Sequence, residues 1–279
     1  MTQDGRQWIE GLPDEMAGQR EIMLRLLDWS QHGELVRFLV VACSVGRGAG
    51  DRLSDLDMGM GVASEDFDAA VTEVGRAIDE LPGLVESYHH KLAGITTTHE
   101  RIFAQYANRC QVDLVMIPVT ETWGGVKDEV VLYDPDRRRT VRFEPSPVTP
   151  AQAREWAFNG WNCLADVGKY LRRGSAWEAL ERLHQARAEY WRLLATAAEV
   201  ANPQFGITSL LDFAPDAVPA DLARTVSQLD HGGLLRAARR LADELTEVGE
   251  LLPAELRAAL PAAMADYIRA DLADLSLPH

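Results

Sequence analysis

The sequence predicts an α+β protein: a mixed-sheet domain over residues 1–145, followed by a C-terminal helical bundle over residues 146–279. Three observations carry this reading. Before residue 145, short β-branched runs alternate with helix-like segments. After it, nearly every segment repeats its apolar residues at helical spacing. Between the two lies RFEPSPVTP, whose three prolines mark a junction.

The elements follow in order. Leu12 to Gly33 reads as a helix, with Pro13, Asp14 and Glu15 in its first turn and Gly33 as its stop. Val36–Cys43 (VRFLVVAC) is a buried strand, and Leu56–Val62 (LDMGMGV) a second one. Ser64 can cap a helix from Glu65 to about Leu81. Ile102–Ala107 and Gln111–Ile117 form a hairpin around Asn108, and Val130–Asp136 adds an edge strand that stops at Pro135. Thr149-Pro150 opens a long helix that ends at Gly174. Ser175 begins the next, with Glu178 placed for a capping box. In that helix Leu183, Ala186, Tyr190, Leu193 and Ala197 make a core stripe. Residues 217–275 add two or three further helices, one interrupted at Pro261. The tryptophans of this half belong to its core.

Composition narrows the function. At 279 residues, 47% hydrophobic and 25% charged, the chain is globular, with ample material for one large or two modest cores. No run approaches the roughly 18 apolar residues of a membrane span. The N-terminus lacks the basic-then-apolar pattern of a secretory signal. Cys43, Cys110 and Cys163 are odd in number and have no CxxC spacing, so a cytoplasmic protein without disulfides or zinc is expected. The net charge of −15 disfavours general nucleic-acid binding and suits either solubility or a cationic small molecule. Most of the surplus acid lies early: residues 1–149 hold 25 acidic and 15 basic side chains, against 18 and 13 in the remainder.

The informative stretch is CSVGRGAGDRLSDLDMGM, Cys43 to Met60. A strand leads into a small-residue turn, and a second strand opens with Ser54-Asp55-Leu56-Asp57. Residues two apart on a strand share a face, so Asp55 and Asp57 project together, about 6.5–7 Å apart at Cα. Such a pair can grip the two divalent cations of a phosphoryl-transfer site. The turn brings Ser44 and free backbone N–H groups to the same sheet end, a nest for polyphosphate. Gly46, Gly48 and Gly50 permit close approach of the backbone. Either the pair or the turn alone is weak evidence; their ordered combination is specific.

These residues resemble the nucleotidyltransferase superfamily of DNA polymerase β, whose signature is Gly-Ser, about ten residues, then Asp-x-Asp on a strand. Bacterial small-molecule members often read GSxARGxADxxSDxDL. Here Cys43 stands for the first glycine and Gly46 for an alanine. The resemblance implies a third carboxylate on a later strand. Asp113 in CQVDLVMIPV fits, because Val112 and Leu114 face the other way and leave it nothing polar on its face but its target. VLYDPD and the helical segment containing KYLRRGSAWEAL are similar to aminoglycoside and lincosamide nucleotidyltransferases. The implied catalytic and metal-binding set is Asp55, Asp57 and Asp113 with two Mg²⁺. The implied nucleotide contacts are Ser44, Arg47, Ser54 and Lys169, the last from the helical domain.

On the first long helix Asn159, Asn162, Asp166, Lys169 and Arg173 share a polar face, either solvated or a cleft wall with Asp166 near the acceptor. The implied activity is transfer of AMP from ATP, or of another nucleoside monophosphate, to a hydroxyl of a cationic antibiotic-like small molecule, by a monomer or homodimer. A protein or tRNA acceptor and a lapsed nucleotide-binding protein are the alternatives; His184 and His231 supply no nuclease-type motif for the former. His89, His90 and His99 read as solvent-exposed, without metal-ligand spacing. Trp123-Gly124-Gly125 can stack a base or anchor a surface loop, and Arg137-Arg138-Arg139 is too short a run to imply nucleic acid.

Overall fold

The computed structural model describes residues 4–93, 98–119, 128–138 and 147–276, and divides into two compact units, 1–144 and 145–279. The Trp123-Gly124-Gly125 loop, Arg139 and most of the proline-rich junction lie outside the described residues.

The first unit opens with α1 (Gly5–Glu10), capped by the Asp4 side chain, and α2 (Ala17–His32). The helix expected from Leu12 is therefore shorter. Pro13 begins a single 3-10 turn, Asp14–Met16, before α2 starts, and Gly33 ends α2 as expected. The strands are β1 (Val36–Val41), β2 (Leu56–Val62), β3 (Leu84–Ala93), β4 (Thr98–Tyr106), β5 (Gln111–Pro118) and β6 (Val130–Tyr133). They form one sheet in the order β3-β4-β5-β2-β1-β6. Only the central β2–β5 pair is parallel; the other pairs are antiparallel. Between β1 and β2 lies a one-turn helix, α3 (Cys43–Gly46), and between β2 and β3 lies α4 (Phe67–Asp79). The helix expected from Glu65 is preceded by a 3-10 turn, Ser64–Asp66, and α4 itself begins at Phe67.

One sheet face is buried under α2 and α4. Its core joins Met23, Leu26 and Leu27 to Leu56, Met58, Ile102, Val112 and Leu114. Period-two alternation then sends Asp57, Phe103 and Asp113 to the opposite face. That face carries a small apolar cluster of Phe38, Val40 and Ile117, and mixes polar side chains with the exposed rings of Tyr88 and Phe103 along β3 and β4.

The second unit is helical. It comprises α5 (Pro150–Arg172), α6 (Ala176–Ala197), α7 (Ile207–Phe213), α8 (His231–Leu251), α9 (Ala254–Ala258) and α10 (Ala262–Asp274). Thr149 and Gln152 form a reciprocal capping box on α5, and Gly174 at φ 74° turns the chain into α6. The capping box expected at Ser175 is not made: Ser175 has ψ 83°, and its hydroxyl donates to Glu178 rather than accepting from the backbone. Trp156 and Trp161 join the core, but Trp177 is 72% exposed, contrary to expectation. Glu244, 2% exposed, accepts from Tyr190 at 3.1 Å and from Arg240. No described helix is long and apolar enough to cross a membrane.

Candidate active site

β1 ends at Val41, and the Ala42 N–H donates to the Asp57 carbonyl at 2.9 Å, tying the following turn to β2. Cys43 then adopts φ 54° at the start of α3. This left-handed conformation is where a glycine costs least, which rationalises the glycine of the resembling motif and makes Cys43 a strained substitute. Gly46 has a different cause: a Cβ there would lie 2.2 Å from the Asp128 carbonyl oxygen. Gly50 is likewise pressed by Met16 and Val45. Of the three glycines expected to open the turn, only Gly48, at φ 74° with nothing near it, stands clear.

β2 begins at Leu56, so Asp55 immediately precedes the strand and Asp57 is its second residue. Asp57 lies directly opposite Asp113 in the parallel β2–β5 register. Adjacent strands run about 4.8 Å apart, so two carboxylates are held side by side on one face. Asp113 does not stand alone as the sequence suggested. Arg101 on β4 takes both its oxygens, with Nε to Oδ1 at 2.7 Å and a second bond from Nη2 to Oδ2. The guanidinium of Arg101 lies 4.3 Å from the Phe103 ring centroid, which holds it in place.

The electrostatics follow from this crowding. Burial first, then the Asp55 charge, with Asp113 adding, push Asp57 from 3.8 up to about 6, while the Cys43 thiol and Arg101 pull the other way. Although Cys43 is exposed as a residue, burial of its thiol, and then the Asp57 charge and hydrogen bond, push it up to about 12. It is therefore a neutral donor to Asp57, not a nucleophile.

The remaining sequence-derived residues divide. Ser44 sits half-buried in the first turn of α3, and Arg47 closes that turn close enough for its charge to favour the Cys43 thiolate. Ser54 is engaged within the loop, its Oγ accepting from the Asp51 N–H at 2.9 Å, while Gln19 donates to its carbonyl at 2.9 Å. In the second unit Lys169 is paired with Asp166, which also meets Arg182 at 3.4 Å, and lies 4.5 Å from the Tyr170 ring. His90 is half-buried rather than exposed, and packs between Tyr88 and Phe103.

Carboxylate oxygens such as those of Asp55 and Asp57, two residues apart at the start of β2, suit a hard cation such as Mg²⁺. Asp113 is committed to Arg101, and among the described residues no three His, Cys, Asp or Glu side chains converge as a metal-binding group. The donor set therefore fits a hard cation on Asp55 and Asp57, with Asp113 joining only if Arg101 lets go.

No protein-family model matches the chain, and no curated protein matches it. Solved structures resemble it at a distance, and two of them are representative. An aminoglycoside 6-adenyltransferase from Bacillus subtilis aligns over 93% of this chain and 99% of its own, at 14% identity and a TM-score of 0.35. A nucleotidyltransferase-like protein from Exiguobacterium sibiricum 255-15 aligns over 89% and 86%, at 11% identity and a TM-score of 0.38. The likeness is a remote one of fold.

Proposed function

We propose that this chain is a nucleotidyltransferase that moves a nucleoside monophosphate, AMP from ATP, to a hydroxyl of a cationic small molecule of the aminoglycoside or lincosamide kind. The observation that carries the reading is the side-by-side placement of Asp57 and Asp113, with Asp55 two residues from Asp57 and the Ser44 turn tied to the same strand. The motif resemblance supports it independently.

The reaction forms a bond between the acceptor oxygen and the α-phosphorus and breaks the bond from that phosphorus to the bridging oxygen. Pyrophosphate departs, and the acceptor proton passes to a carboxylate. Mg²⁺ on Asp55 and Asp57 would acidify the acceptor hydroxyl and neutralise charge on the departing pyrophosphate. Ser44 and the backbone of its turn receive the outer phosphates, with Arg47 beside them. Ser54 keeps the loop in register. Lys169 is the helical-unit residue that the resemblance assigns to the phosphates. Asp113, once released by Arg101, is the base next to the reacting hydroxyl.

A second reading, a lapsed nucleotide-binding protein, is favoured by the strained Cys43 and by the Arg101 clamp on Asp113. Pyrophosphate release from Mg²⁺-ATP separates the two. Across a panel of aminoglycosides, lincosamides and polyols, an active enzyme releases pyrophosphate only with its acceptor, and Asp57→Asn abolishes that release. ATP binding with no release across the panel favours the lapsed protein, or a protein or tRNA acceptor. Absence of ATP binding overturns the reading of Ser44 to Asp57.

A further inference from the structure

The row that holds the two aspartates continues across the sheet. Tyr88 on β3 is the register partner of Phe103 on β4, Phe103 of Asp113 on β5, and Asp113 of Asp57 on β2. A second row on the same face joins Glu86, Gln105 and Gln111, with Asp55 two residues before Asp57 at its end. Apart from Asp57, both rows border an open cavity of about 370 Å³. Tyr88 is 64% exposed and Phe103 37%, an aromatic shelf beside the reacting carboxylates.

From this arrangement we infer that the Tyr88–Phe103 shelf is the acceptor subsite, and that it takes a ring-bearing, hydroxylated cation. The inference rests on the nucleotidyl-transfer reading and adds where the acceptor lies and which side chains select it. In-line displacement puts the attacking oxygen and the departing pyrophosphate on opposite sides of the α-phosphorus. The phosphate-receiving turn follows β1, and the sheet runs β1, β2, β5, β4, β3 away from it. The acceptor must therefore approach from the β5–β4–β3 side, where the shelf stands. Two strand spacings, about 10 Å, separate Asp113 from Tyr88, the span of a two- or three-ring molecule.

The lining specifies the ligand. Tyr88 offers a ring face for stacking or for a cation. The ring of Phe103 already carries the Arg101 guanidinium at 4.3 Å, so a cation on this shelf has a precedent within the chain. The charged groups facing the cavity are Glu86 and Asp55, together with Asp113, whose charge is met by Arg101. The outer end is therefore negative, and the ammonium groups of the acceptor belong near Glu86. Gln105 is fixed by donating to the Tyr106 and Cys110 carbonyls and accepting from the Gln111 amide at 2.7 Å, which makes this a rigid polar edge of the cavity.

The test is calorimetric titration of the full chain with kanamycin A, a three-ring cationic polyol, in the presence of Mg²⁺ and an ATP analogue whose α,β bridge cannot be cleaved. Spermine, cationic but without rings, is the control for charge attraction alone. Wild-type protein binds kanamycin A more tightly than spermine. Tyr88→Ala weakens kanamycin A at least tenfold, Phe103→Leu weakens it several-fold, and both variants bind the nucleotide analogue as wild type does. Tyr88 is exposed, so its replacement does not threaten folding, and a thermal melt verifies this. Equal affinity for kanamycin A and spermine, unchanged affinity in both shelf variants, or no kanamycin A binding at millimolar concentration overturns the inference. Failure of the nucleotide analogue to bind wild type instead overturns the transferase reading beneath it.

Discussion

Replacing Asp57 with asparagine is expected to stabilise the metal-free protein while removing its chemistry. Asp57 is half-buried beside Asp55 and Asp113, which with burial raise it from 3.8 to about 6. An acid raised on folding holds its proton more tightly in the folded chain. Its charge therefore costs nothing below pH 4, and the cost is complete above about pH 6. At about 1.4 kcal/mol per tenfold, the rise sets a ceiling near 3 kcal/mol. Solvent reaches part of the carboxylate and screens it, which brings the expected gain of Asp57→Asn at pH 7.5 to about 1–2 kcal/mol. The amide oxygen introduced by the substitution can still accept from the Cys43 thiol, so that contact does not bias the comparison. Urea denaturation with chelator present, at pH 7.5 and again at pH 4, measures the difference. The gain should shrink towards zero at pH 4, and added Mg²⁺ should stabilise wild type more than the variant. A variant that at pH 7.5 is no more stable than wild type would refute the picture of crowded carboxylates awaiting a cation.

Substitutions at three further positions test the surrounding geometry. Arg101→Met leaves Asp113 without its bidentate partner and should cost about 2 kcal/mol in urea denaturation, with Arg101→Lys recovering only part because an ammonium cannot match both oxygens. Cys43→Gly should be about 1 kcal/mol more stable than Cys43→Ala, since both lack the thiol and only glycine tolerates φ 54° without strain. Equal melting of the two would show that Cys43 is not left-handed. Gly46→Ala drives a Cβ to 2.2 Å from the Asp128 carbonyl and should cost at least about 2 kcal/mol in thermal or chemical unfolding.

Strong local signals made part of this protein legible. The β-branched run before Cys43, the alternation of Leu56–Val62 and the proline-led start of α5 each combine a favoured residue type with a clear boundary. β3 gave no such signal. Its segment LVESYHHKLA mixes polar and aromatic residues on both faces, as an edge strand with one open face can. The Arg101 clamp was missed because it depends on pairing across strands rather than on spacing along one. It was nonetheless recoverable: a hairpin centred on Asn108 sets Phe103 opposite Asp113 and places Arg101 two residues away on the same face. The same step from Phe103 to Tyr88 required β3 and so stayed hidden. At Ser175 the residue pattern promised a capping box, but ψ 83° shows why pattern alone misleads: the cap needs a backbone angle as well as a hydroxyl.

The central claim is that the α-phosphoryl group of ATP, carrying its nucleoside, ends on an acceptor hydroxyl. Parallel reactions with ATP labelled at the α- or γ-phosphorus, Mg²⁺ and the acceptor panel test it most directly, with Asp57→Asn alongside. The α-label should appear in the acceptor and the γ-label in pyrophosphate, and neither transfer should occur in the variant. Appearance of the γ-label in the acceptor, or α-label transfer that survives Asp57→Asn, would contradict the account.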